Sequence, residues 1–126
     1  MANILVVDDE PMMLRLCANI LALGHHEVME AGSGQEALQL LQTRTPELAL
    51  LDVVMPGING IELAARILRK SPDTKIVLMS GYGPREIANI TGKENPHRII
   101  WKPFKAESLL RMIDNVLGES AGASTA

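Results

Sequence analysis

Short apolar runs alternate along this chain with segments whose apolar residues recur at helical spacing. The runs Ile4–Val7, Glu27–Glu30, Leu48–Leu51, Ile76–Met79 and Arg98–Trp101 have the length of strands and predict a sheet. Between them, Met13, Leu16, Cys17 and Ile20 define one helical stripe. Ala37, Leu40 and Leu41 define a second, and Ile61, Ala64, Ala65 and Leu68 a third. A last helix carries Leu109, Leu110, Ile113, Val116 and Leu117 on one face, with Glu107, Arg111, Asp114 and Asn115 on the other. The segment Pro84–Thr91 offers the weakest apolar face. Residues 118–126 are small and polar, which predicts a flexible tail or the start of a linker after a domain spanning residues 1–117.

Strict alternation of apolar strands with helices predicts an α/β domain: a five-stranded parallel sheet with five helices covering both faces. The run around Val28 and Met29 is flanked by glutamates and suits an edge. Right-handed crossovers favour the flavodoxin-like strand order 2-1-3-4-5. That order sets the first and third strands side by side with their helices on opposite faces, and ligands bind outside the carboxyl ends of such strands.

Composition narrows the picture. A chain of 126 residues suits one domain, and 47% apolar content with few aromatics leaves aliphatic residues and methionine to fill the core. Among the methionines, Met55 is assigned to a loop and the others to the interior. The net charge of -3 offers no basic patch for nucleic acid or membrane. No stretch is long enough to span a bilayer, and the N-terminus lacks the pattern of a signal peptide. Cys17, the single cysteine, reads as a buried structural thiol, and a reducing cytoplasm fits.

The chemistry gathers at the strand ends. The first strand runs into Asp8, Asp9 and Glu10, the third ends at Asp52, the fourth at Ser80 and the fifth at Lys102. Asp9 alone would serve as a cap for the helix begun by Pro11, Ser80-Gly81 as a turn, and Lys102 as a surface lysine. Taken together they put three carboxylates at one rim, where each would favour protonation unless a cation neutralised them. Hard oxygen donors with no histidine or thiolate beside them suit Mg²⁺, with Mn²⁺ as a substitute. One such ion and Lys102 leave the three aspartates formally neutral. His25 and His26 fall in the loop before the edge strand and read as solvated; His97 is given no role. Tyr82 is either a loop anchor or a cover over the site. In Met55-Pro56-Gly57-Ile58, Pro and Gly suit a type II turn, and Asn59 can cap the following helix.

"ILVVDDEP", "LLDVVMPGING", "LMSGYG" and "WKPF" resemble, in order and separation, the four motifs of the receiver domain of two-component response regulators. The resemblance implies that Asp52 accepts a phosphoryl group from a sensor histidine kinase or phosphotransfer protein. It implies Mg²⁺ held by Asp9, by Asp8 largely through water, by Asp52 and by the main-chain carbonyl of Val54, with Ser80 and Lys102 on phosphoryl oxygens. It implies a signalling domain and not an enzyme in its own right, although it would promote its own phosphorylation and dephosphorylation. A downstream partner is expected on the face of helix 4, strand 5 and helix 5, without direct contact to nucleic acid or membrane, and the family allows a dimer formed on phosphorylation. The positions of Val54 and Tyr82 flank the approach of water in the family; here Val54 cannot position water and Tyr82 is bulky, so slower loss of phosphate is expected than in Val54→Asn. The aromatic switch residue of many receivers is replaced by Ile99, which shares its strand face with Trp101. A Mg²⁺-dependent aspartyl-phosphate phosphohydrolase is the enzymatic alternative, but it needs an aspartate where Val54 stands. A binding module acting without phosphorylation would usually have lost part of the acidic pair, the acceptor or the lysine, and this chain keeps them all.

Overall fold

The computed structural model describes residues 2–91 and 97–119. Strands β1 (Asn3–Val7), β2 (Glu27–Ala31), β3 (Leu48–Asp52), β4 (Lys75–Ser80) and β5 (Arg98–Trp101) alternate with helices α1 (Pro11–Leu23), α2 (Gly34–Leu40), α3 (Gly60–Lys70), α4 (Pro84–Thr91) and α5 (Ala106–Gly118). All strand pairs are parallel, in the order β2-β1-β3-β4-β5. The expected topology and the edge position of β2 are therefore observed.

Period-two alternation divides the sheet between two cores. Ile4, Val6, Leu48, Leu50, Val77 and Met79 meet Cys17, Ile20 and Leu21 of α1 and Leu109, Ile113 and Val116 of α5. Leu5, Val7, Ala49, Leu51 and Leu78 meet Ala37 of α2, Leu63, Ala64 and Ile67 of α3, and Ile87 of α4. Every residue of β3 is buried, so the central strand is packed on both faces of the sheet. Helix starts follow local chemistry. Ser33 accepts from the Glu36 N–H at 3.0 Å, and Asn59 accepts from the Glu62 N–H at 2.9 Å, as expected of the latter.

Several expectations need correction. The α1 stripe is rotated: Leu16 is 46% exposed and Leu21 is buried, because the helix packs through Cys17, Ala18, Ile20 and Leu21. In α3, Ala65 faces solvent, while Leu63 and Ile67 carry the packing. Met55 is buried against the α2–α3 core although it lies in a loop, and Met12, expected inside, is 81% exposed. His26 is not solvated. Its side chain is 5% exposed, its Nδ1 accepts from the Ala2 N–H at 3.0 Å, and its Nε2 lies 3.9 Å from Asp114 on α5. His25, with φ 66°, is exposed as expected, and Cys17 is buried. The last helix runs one residue past the expected boundary, to Gly118, and the tail from residue 120 lies outside the described residues. Among the described residues, no helix is long and apolar enough to cross a membrane.

Candidate functional site

Parallel pairing brings the carboxyl ends of β1, β3, β4 and β5 to one rim. The Asp8 N–H still donates to the Ala31 carbonyl at 3.2 Å, which ties the end of β1 to β2. One carboxylate oxygen of Asp8 accepts from the Glu10 N–H at 2.9 Å, and the other meets Lys102 Nζ at 3.0 Å. Asp8 is 1% exposed, whereas Asp9 projects into solvent. Asp52 closes β3 opposite Met79, and its Oδ1 lies 3.4 Å from the same Lys102 nitrogen. One ammonium thus bridges two buried carboxylates. Asp8, Asp9 and Asp52 each offer an oxygen within 4.8 Å of the other two, a spacing that a single hard cation can span.

The charges are unbalanced without a cation. Burial pushes the Asp52 carboxyl up to about 6, and the charge of Asp8 adds to the effect; Lys102 opposes it through charge and hydrogen bond, and Asp9 raises it further. Burial works against the Lys102 ammonium, but its hydrogen bond to Asp8 and the charges of Asp52 and Asp8 outweigh that and raise its pKa. Beneath the cluster, burial and the nearby Asp8 hold the Cys17 thiol at about 12, and its sulfur lies 3.6 Å from that of Met79. This thiol is packing, not a nucleophile.

Ser80, 1% exposed, ends β4 and is joined to the lysine strand by the Lys102 N–H donating to the Ser80 carbonyl at 2.7 Å. Its hydroxyl accepts from the Tyr82 N–H at 2.9 Å and donates to the Tyr82 carbonyl at 3.2 Å. The expected anion-binding hydroxyl is therefore engaged with the loop that follows it. Tyr82 is 48% exposed as a residue, and its main chain is the part anchored to the strand end. Trp101 pairs with Ser80 in the sheet register and is 41% exposed; Ile99 pairs with Leu78 and packs against the α2–α3 core. Val54 also packs against that core, just beyond Asp52.

One residue of the site escaped sequence reasoning. A Cβ on Gly60 would lie 2.3 Å from the main-chain oxygen of Asp52 and 3.0 Å from the Cα of Val53. The first turn of α3 can press against the end of β3 only because position 60 has no side chain. The only signal in the sequence is a glycine directly after a capping asparagine, a pattern shared with ordinary helix starts. Gly57, by contrast, adopts φ 78° as the expected turn requires.

The model of the response regulator receiver domain family matches residues 4–114. Chemotaxis protein CheY of Listeria monocytogenes is 31% identical over 115 residues, which is 90% of this chain and 97% of that protein. The crystal structure of NtrX from Brucella abortus in complex with ADP superposes with a TM-score of 0.82 at 35% identity, over 92% of this chain and 27% of that one. The response regulator TrrA of Thermotoga maritima, crystallised in complex with Mg²⁺ and BeF, superposes with a TM-score of 0.78 at 32% identity, over 92% of this chain and 99% of that one. A match over nearly the whole described fold, with the aspartate cluster, serine and lysine at the rim, makes this chain a member of the response regulator receiver family of two-component signalling.

Proposed function

We propose that Asp52 is the phosphoacceptor, receiving a phosphoryl group from a phosphohistidine of a sensor kinase or phosphotransfer protein. The observation that carries this reading is the buried Asp52 carboxylate, with Lys102 Nζ at 3.4 Å and the oxygens of Asp8 and Asp9 within 4.8 Å. Asp8, Asp9, Asp52 and the Val54 carbonyl would hold Mg²⁺, which when bound neutralises the charge that builds on the transferring group. The crystallised complex of TrrA with Mg²⁺ and BeF supports the same use of the site here.

The chain's own residues supply position and charge. An Asp52 oxygen, fixed at the end of a fully buried strand, forms the new bond to phosphorus as the bond to the donor nitrogen breaks. Lys102, already desolvated between Asp8 and Asp52, turns its ammonium to a phosphoryl oxygen. Ser80 exchanges the Tyr82 carbonyl for a charged oxygen, so phosphorylation releases one of the two bonds that hold Tyr82 to the strand end. This differential contact biases the loop and, through it, the face of α4, β5 and α5, where a downstream partner would read the state. A cytoplasmic location accords with kinase-borne donors.

Incubation with acetyl phosphate and Mg²⁺, followed by intact-mass spectrometry, should show one added phosphoryl group in the unaltered chain and none in Asp52→Asn. Equal labelling of the variant would remove Asp52 from this role.

A further inference from the structure

Helix α1 differs from its neighbours in the face it turns to solvent. α3 exposes Glu62, Arg66, Arg69 and Lys70, and α5 exposes Glu107, Arg111 and Asp114. Of the exposed residues of α1 only Arg15 is charged, and its guanidinium is drawn aside to Glu30 of β2 at 3.3 Å. Along the rest of that face stand Met12, Leu16, Asn19 and Leu23, spaced four, three and four residues apart. That spacing is the seam of a two-helix coiled coil. Met12 is 81%, Leu16 46% and Leu23 71% exposed, so nothing among the described residues covers the seam. Exposed apolar residues scattered singly need no explanation, but a stripe along one helix does. Around its first half lies a cavity of about 630 Å³, bordered by Glu10, Met12, Arg15, Leu16 and Asn19 among others. Leu23 stands outside that cavity, roughly 16 Å along the helix from Met12. One helix thus carries both a hollow and a projecting side chain able to fill one.

We propose that this face is an interface between two copies of the chain, paired antiparallel through α1 about a two-fold axis. Such an isologous contact requires a self-complementary surface. The seam meets that requirement about the middle of the helix, between Cys17 and Ala18. Met12 is as far before that point as Leu23 is after it, and Leu16 stands likewise to Asn19. Antiparallel pairing therefore lays Leu23 of each copy over Met12 of the other, in the hollow. Both Asn19 side chains come to lie beside the axis, where each can hydrogen-bond the other. A polar residue at one seam position sets register at some loss of affinity. The helix ends are complementary as well. Glu10, which borders the cavity at the start of α1, comes to the end of the other helix, where His25 is exposed. A carboxylate accepts from an imidazole N–H in either charge state of the ring. The seam of a single helix falls short of the roughly 1,200 Å² of a stable interface, so the pair is weak, with a Kd on the order of 100 µM. The contact uses neither Asp52 nor the α4–β5–α5 face and does not depend on phosphoryl transfer.

Sedimentation velocity on the full chain, from about 10 µM to about 1 mM, tests the pairing. The weight-average mass should rise toward that of a dimer, while Leu16→Glu should stay monomeric over the same range. Asn19→Leu, which removes the polar seam residue, should lower Kd about fivefold. Oxidative cross-linking reads the orientation. In a mixture of Met12→Cys and Leu23→Cys, the two variants should join each other about fivefold more than either joins itself. Cys17 is buried and common to both. A chain that stays monomeric at about 1 mM overturns the proposal and leaves the α1 face to a different protein. A dimer that Leu16→Glu leaves intact overturns it as well, because the contact then lies on another face. So does a Met12→Cys protein that joins itself as readily as it joins Leu23→Cys. Should Leu16→Glu not fold, the cross-linking result decides.

Discussion

Asp52 is held at the cost of its own ionisation, and that cost sets a pH dependence. Its pKa is raised from 3.8 to about 6, first by burial and then by Asp8. A carboxyl with a folded pKa above its unfolded value binds its proton more tightly in the folded state. Its contribution therefore favours folding most below the unfolded value and is lost as pH rises through about 6. In chelator, Asp52→Asn should melt above the parent at pH 8, with a stability gain on the order of 1–3 kcal/mol, and the gap should close toward pH 4. Thermal melts across that range check the sign. A variant less stable than its parent at pH 8 would mean that the contact with Lys102 outweighs burial. The neighbouring Asp8 has a different position: it keeps the closer bond to Lys102, at 3.0 Å, and the Glu10 N–H besides.

At the scale of elements, two glycines in the β3–α3 connection make opposite demands. Gly57 has φ 78° and open space around its Cα, so Gly57→Ala strains only the backbone, by about 1–2 kcal/mol. Gly60 has an ordinary backbone but no room, because a Cβ would meet the Asp52 main chain at 2.3 Å. Gly60→Ala should lower stability by about 1–3 kcal/mol and also slow phosphorylation, since the acceptor strand must shift to admit the methyl. Gly57→Ala should lose stability with a smaller effect on rate. Denaturant titration beside acetyl phosphate labelling separates the two, and equal rate losses would mean that Gly60 does not set the acceptor's position. This contrast also marks what the sequence could disclose. The strands were legible because parallel central strands are continuous apolar runs, and the rim chemistry because Asp8, Asp9, Asp52, Ser80 and Lys102 each follow such a run. Helix rotation was harder to read. In α1 apolar residues surround the axis, so Leu16 and Leu21 could exchange places on paper, and only packing against α5 and the sheet decides. The burial of His26 and the constraint on Gly60 depend on chain segments far from each in sequence or on a close approach of backbone, neither of which leaves a periodic signal.

Across the whole molecule, the rim joins the two cores, and under the proposed function a change at Ser80 would pass first to the Gly81–Gly83 loop, whose Tyr82 main chain it holds. Beryllofluoride with Mg²⁺ should therefore alter amide exchange from Gly81 to Glu86 and around Ile99, as well as in the loops after β1 and β3. Changes restricted to those two loops would describe a domain that carries phosphate without switching its α4–β5–α5 face, as a relay intermediate would. Ile99 packs into the α2–α3 core, so any outward signal on this strand would fall to the exposed Trp101. That residue has a practical consequence. It is the chain's single tryptophan, and it lies in register with the serine at the rim. Indole emission excited apart from tyrosine thus comes from one position beside the reacting groups. If Asp52 takes a phosphoryl group as proposed, its loading and decay should change that emission in real time, with no dye and no engineered reporter.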